Sequence, residues 1–255
     1  LDTIEGNDDL VMHRVAGANV FMAVFNNDAE PVDDTRVRQA IRHGIDLPAL
    51  VRSVYGGLGT VAATPMPPTV FGFADDLEPY EYDPQRSREL LAEAGYPDGI
   101  SVTIHSFIQA RPYVPKPLDA AQIMESQLAE AGIDVTIESN EWGTHSDIMD
   151  NHDHQIALTG WYDVPYPSNF LRTMLLIGSD TNWQPQEMMD LSTSALATYD
   201  RDEQERIYRE MQAITHEESP VIPLAHSDYT AASRVEVEGL ELDVIGTIKA
   251  HNVQY

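Results

Sequence analysis

The 255-residue sequence contains no cysteine and only two lysines, Lys116 and Lys249. The first absence excludes disulfides, a thiolate metal site and a cysteine nucleophile. No apolar run approaches the roughly 20 residues that a bilayer-spanning helix needs. The first ten residues are acidic and lack the apolar stretch of a secretion signal. There is no Gly-x-Ser-x-Gly elbow, no His-Glu-x-x-His and no phosphate-binding glycine loop. The scarcity of bases is extreme: 42 Asp and Glu stand against 15 Lys and Arg, a formal net charge of −27. Such a surface repels phosphate backbones and excludes a nucleic-acid partner. The acids are dispersed, as in Asp8-Asp9, Asp33-Asp34, Asp75-Asp76 and Glu217-Glu218, and not gathered into a tail. Dispersed acid with little lysine keeps a protein soluble in concentrated salt, where the Debye length falls to about 3 Å. The composition therefore predicts a halophilic source, an archaeon.

What is present reads as a globular α/β chain, 42% hydrophobic. Residues 11–26 alternate apolar positions as one or two strands. Residues 35–55 carry Val37, Ala40, Ile41, Ile45 and Leu50 at helical spacing, which predicts one helix capped by Asp33 or Asp34 and ended at Gly56-Gly57. The prolines of 60–82 predict an irregular surface loop. Asp83-Pro84 opens a helix that runs to Ala94. Strands are expected at 101–107, 133–139, 156–159, 221–225 and 231–237, and helices at 119–131 and 200–217. The strand–helix–strand unit of 101–139 has the length of a parallel crossover, so the sheet is expected to be partly parallel.

Several segments resemble a known family. Asp33 to Ile41 is similar to the "DxRVRQA" signature of family 5 solute-binding proteins. Asp83-Pro84 to Gly95-Tyr96 resembles its "DPxxARxLLxEAGY" helix, and Gln122 to Ile133 its helix ending in "GI". Gly160-Trp161 followed by Pro167-Ser168-Asn169-Phe170 resembles its "GWxxDxxDPxNF" stretch, with Tyr166 where the second aspartate would stand. Ile222-Pro223-Leu224 resembles its return strand. The resemblance implies the fold of a type II periplasmic-binding-protein clamshell and the binding component of an ABC importer. That component captures small peptides outside the membrane and delivers them to permease subunits. It would work as a monomer, without a cofactor and without enzymatic activity. The family is about twice as long. The chain is thus expected to be mainly one lobe (27–220), with 1–26 and 221–255 as strands crossing to a first lobe. Export or lipid anchoring would belong to that first half.

Within the family, Arg111-Pro112-Tyr113-Val114-Pro115, Glu141-Trp142-Gly143 and Gly160-Trp161 resemble the dipeptide-binding branch. By that resemblance Arg111 takes the peptide carboxylate, Asp163 takes its ammonium, and Gly160, Trp161 and Tyr162 lie along the ligand. The chemistry suits the roles: a guanidinium grips a carboxylate with two parallel hydrogen bonds, and a carboxylate balances an ammonium. Trp161, Tyr162 and Phe170 are candidates to wall a side-chain pocket. Each residue also has a plainer reading. Arg111 suits an exposed proline-rich loop, Asp163 suits a turn before Val164-Pro165, and Trp142 and Trp161 suit a core. Two rival functions remain open. Glu141 and Asp163 would serve as the acid–base pair of a hydrolase. His152 and His154, on one side of a strand with His145 and Asp147 nearby, would bind nickel or another metal.

Overall fold

The computed structural model describes residue 4 and residues 6–177, 180–251 and 253–254. Its centre is a seven-stranded mixed sheet ordered β1-β7-β2-β6-β4-β5, with β3 paired to β7. The strands are β1 (Leu10–Ala16), β2 (Asn19–Phe25), β3 (Gly59–Val61), β4 (Ile100–Phe107), β5 (Ile133–Asn140), β6 (Ile156–Tyr162) and β7 (Val221–Arg234). A small hairpin, β8 (Glu241–Leu242) with β9 (Ile248–Lys249), follows. β4 runs parallel to both β5 and β6, whereas β2 is antiparallel to β6 and to β7. The partly parallel sheet expected from the sequence is present. The helices are α1 (Thr35–His43), α2 (Leu47–Tyr55), α3 (Pro84–Glu93), α4 (Pro117–Glu130), α5 (Trp142–Asp150), α6 (Gln186–Ala197) and α7 (Arg201–Glu218), with a π-helical turn at Asn169–Thr173.

β2 is buried along its whole length, and its pleat divides the core in two. Phe21, Ala23 and Phe25 face a cluster built with Val37, Ile41, Leu50, Ile104, Met124 and Leu128. Val20, Met22 and Val24 face a second cluster containing Phe170, Leu171, Met188, Ile207 and Met211. A strand covered on both faces favours apolar residues throughout, which is why Val20 to Phe25 has no polar member; Asn19 at its start is buried but hydrogen-bonded to Ser227.

Three sequence expectations need correction. Residues 35–55 form two helices. Gly44 ends α1, and Asp46 then caps α2 by accepting from Ala49 N–H at 2.9 Å, with Pro48 in the first turn. The apolar spacing continued across the break because Ile45 and Leu47 are both buried there. The two strands expected at 221–225 and 231–237 are one 14-residue strand, β7. Its first half pairs with β2 and β3, and its second half leaves the sheet's centre to pair with β1 as a ribbon. His152 and His154 do not share a strand: His152 sits in a turn at φ 57°, and β6 begins only at Ile156.

The Asp33–Ile41 segment caps its own helix as expected and also has a tertiary role that its sequence did not disclose. Asp34 caps α1, accepting from Arg36 N–H at 2.8 Å. One face of α1 then closes the end of α7. Arg42 donates to His216 O at 2.7 Å, Gln39 to Glu217 O at 2.9 Å, and Arg38 to Glu218 O at 2.8 Å and Ser219 O at 3.1 Å. The carbonyls that a helix end leaves unpaired are thereby satisfied, and two cations meet the negative end of its dipole. Arg36, by contrast, pairs locally with Asp34.

Candidate functional site

The site is assembled where the loop after β4 meets the end of β6. Arg111 and Val114 exchange backbone hydrogen bonds of 2.8 and 3.0 Å, which closes the loop into a tight bridge around Pro112 and Tyr113. The loop is held from two sides. Tyr55 Oη donates to Tyr113 O at 2.6 Å, and Ser227 Oγ to Pro112 O at 3.1 Å. The Tyr113 ring, 3% exposed, packs near Phe21 and Phe107 and lies directly on Gly160. A Cβ at residue 160 would stand 2.3 Å from Tyr113 Cδ2 and 2.5 Å from Val20 O. Gly160 is therefore required by close approach, and its absent side chain is what joins the Arg111 loop to the Gly160–Asp163 segment. Burial pushes the Tyr113 hydroxyl up to about 12, so it is neutral at any ordinary pH.

Arg111 lays its guanidinium on Trp142, with Cζ 3.7 Å from the ring centroid. Its Nε is buried without a hydrogen-bond partner. Stacking fixes the plane of the fork while leaving N–H donors unspent. The arginine lines a cavity of about 550 Å³ with Tyr55, Lys116, Ser227 and Asp228. Asp163 lies three residues beyond Gly160. Its backbone N–H reaches Ala18 O at 3.4 Å, and its Oδ1 accepts from Val164 N–H at 2.7 Å. Part of this carboxylate is thus engaged in its own turn, the contact that the plainer reading anticipates. Tyr162 is half exposed, with its ring 6.4 Å from that of Tyr113.

Gly160 and Trp161 line a second cavity, of about 340 Å³, and Trp142 lines it too. The Trp161 Nε1–H is buried without a partner. Phe170 is not part of this wall: it is fully buried in the second core cluster, so only Trp161 of the three aromatic candidates reaches the cavity. The remaining wall includes Met149, Asp150, Met174 and Asp180, none of which stood out in the sequence. No motif marks them, because they converge from segments unrelated in the chain.

Of the candidate histidines, His145 and His154 are buried. His145 Nε2 donates to Leu158 O at 2.8 Å, and its ring packs against Phe107 and Trp142. His105, His145 and His154 are all held below the ordinary imidazole value, chiefly by burial, His154 at about 4. Among the described residues, no three His, Asp or Glu side chains are grouped to hold a metal ion. No helix among them is long and apolar enough to cross a membrane.

Residues 1–182 match the family described as bacterial extracellular solute-binding proteins, family 5. The dipeptide-binding protein of Escherichia coli is 31% identical over 247 residues, covering 94% of this chain and 46% of that protein. The heme-binding protein A of Haemophilus influenzae is 31% identical over 229 residues, 88% of this chain and 42% of that protein. Among solved structures, the dipeptide-binding protein of Pseudoalteromonas sp. SM9913 in complex with Met-Leu superposes with a TM-score of 0.88 at 33% identity. It covers all of this chain with 52% of its own. The chain spans about half the length of the relatives it matches.

Proposed function

Because the chain belongs to the extracellular solute-binding proteins of family 5, we propose that it supplies the peptide-holding lobe of an ABC importer's binding protein. In this reading it captures small peptides outside the membrane, hands them to permease subunits and performs no chemistry. The observation that carries the reading is Arg111. It is an arginine with its plane fixed on Trp142 and its Nε unspent, on a bridged loop locked through Tyr113 to Gly160. A ligand carboxylate meeting that fork replaces water with two charge-assisted hydrogen bonds. Asp163 balances the peptide ammonium from the next segment. Gly160, Trp161 and Tyr162 form the strip between them.

A second lobe completes the cleft. In this reading residues 27–220 supply most of this lobe, β2 and the first half of β7 complete its sheet, and the outer parts of 1–26 and 221–255 lead to the other lobe. Support comes from the β1–β7 ribbon, where residues 10–16 pair with 228–234 beyond the central strands. A two-stranded ribbon is a suitable hinge, and ligand shifts its open–closed population. A halophilic source and a membrane anchor belong to the same reading.

Calorimetric titration of the full natural polypeptide that carries this chain, in concentrated KCl, tests it. Free dipeptides are expected to bind. Peptides with amidated C-termini, and the Arg111→Ala variant, are expected to lose at least about a hundredfold in affinity, the loss that follows when one member of a buried charged pair goes unmatched. Equal binding of amidated and free peptides would refute the role of Arg111.

A further inference from the structure

The cavity of about 340 Å³ beside Gly160 and Trp161 has a composition that selects its occupant. Its size lies near the lower end of the roughly 300–1,000 Å³ typical of small-ligand pockets. Met22, Met149, Met174, Trp142 and Trp161 contribute to its apolar wall. Among the described residues, Asp150 and Asp180 are the only ionisable ones that line it, and no Lys, Arg or His does. Neither carboxylate forms an ion pair with a lysine or arginine among the described residues. The other carboxylates with arginine partners lie elsewhere, as at Asp75 and Asp76 with Arg209. The Asp180 carboxyl is held above its ordinary value, first by burial and then by the charge of Asp150, with His152 acting in the opposite sense.

The geometry points to this cavity as the seat of a long basic side chain, lysine or arginine, on the captured peptide. The inference rests on the peptide-binding reading above. The methylene stem lies along the methionines and indoles, which soft, adaptable side chains accommodate. The ammonium or guanidinium meets Asp150 and Asp180 beside the indole of Trp161. A neutral side chain of the same length fills the same volume but strips water from two carboxylates and offers no charge in return. Selection therefore arises as much from the penalty on neutral side chains as from the attraction of cationic ones.

The test compares Ala-Lys and Lys-Ala with their norleucine counterparts, by calorimetry on the full natural polypeptide in concentrated KCl. Norleucine keeps the stem and removes the ammonium. At one of the two positions the lysine peptide is expected to bind at least about tenfold more tightly, the scale of one or two charge-assisted contacts. The Asp180→Asn variant, alone and with Asp150→Asn, is expected to bring that ratio close to one, with the near-ultraviolet circular dichroism of each variant confirming its fold. If the double variant does not fold, Asp180→Asn alone decides. Norleucine peptides that bind as tightly as lysine peptides at both positions overturn the pocket assignment and leave the peptide reading standing. So does a ratio that Asp180→Asn leaves unchanged. Failure of all four peptides to bind overturns both.

Discussion

A single methyl group at Gly160 measures how tightly the Arg111 loop is locked to β6. In Gly160→Ala the new Cβ would stand 2.3 and 2.5 Å from two Tyr113 ring atoms and 2.5 Å from Val20 O. Real Cβ contacts do not come that close, so something must move. The oxygen belongs to the antiparallel β2–β6 pairing, where Gly160 faces Phe21, and cannot rotate away. The ring cannot withdraw freely either. It is buried between Phe21 and Phe107, and its own carbonyl is held by Tyr55. Overpacking a core costs about 1–3 kcal/mol, and a clash with main chain on one side and a trapped ring on the other belongs at the upper end. A loss of about 3 kcal/mol lowers the thermal midpoint of a chain this size by roughly 6–12 °C. Gly143→Ala is the matched control. It lies in α5 with nothing within 4 Å of its Cβ, so the added methyl is expected to stabilise by roughly 0.5–1 kcal/mol. Urea unfolding of both variants at fixed salt, compared by midpoint at constant slope, reads the difference. If Gly160→Ala stays within about 0.5 kcal/mol of the parent, or the two glycines respond alike, the loop is not held as described.

Two further outcomes follow from buried polar groups. Arg38→Ala, at a residue only 3% exposed, leaves the Glu218 and Ser219 carbonyls without their donor; a loss of about 3 kcal/mol in urea unfolding is expected, with Arg38→Lys recovering only part of it, and a loss below about 1 kcal/mol would refute the capping role. His226, buried with Nδ1–H donating to Asn19 O at 2.8 Å, is lowered by burial from an ordinary 6.5 to about 4, so the unfolded chain takes up its proton first: stability is full above about pH 6.5 and falls as pH drops toward 4, and His226→Gln should flatten that part of the pH–stability curve measured by urea unfolding.

Local chemistry was legible wherever a short segment determines its own structure. Asp34 and Asp83 cap helices as their sequences suggest, and Asp83 accepts from the N–H groups of Gln85 and Arg86. The crossover from β4 through α4 to β5 follows from periodicity and the glycine at its end. Other elements were hidden for physical reasons. α5 is mostly polar, and no side chain caps its start. α6 begins after Pro185, again without a side-chain cap. β7 is polar from its middle onward for two reasons: His226 and Ser227 are buried but hydrogen-bonded to Asn19, and from Asp228 the strand leaves the core as a half-covered ribbon with β1. Of the site, the resemblance supplied Arg111 and the Gly160–Asp163 segment. Their connection through Tyr113, and the carboxylates at 150 and 180, depend on contacts between distant segments that no spacing rule reports.

α5 matters more than its weak sequence signal suggests. Its first residue, Trp142, is the surface on which Arg111 lies, while Ser146, Met149 and Asp150 from the same helix face the smaller cavity together with Trp142. In the proposed reading the carboxylate grip and the side-chain pocket therefore share one element and do not sit on independent loops. What fixes that element is His145. A carbonyl oxygen can only accept, so the 2.8 Å contact with Leu158 O requires the proton on Nε2, and the imidazole ties α5 to β6 one turn from Trp142. Burial keeps this histidine below its ordinary value and hence neutral near pH 7. A neutral imidazole satisfied on one nitrogen is a spacer of defined length between helix and strand. It sets the distance between the Trp142 ring and the Gly160–Trp161 strip, and with it, in the proposed reading, the distance between the peptide carboxylate and the side chain assigned to the pocket.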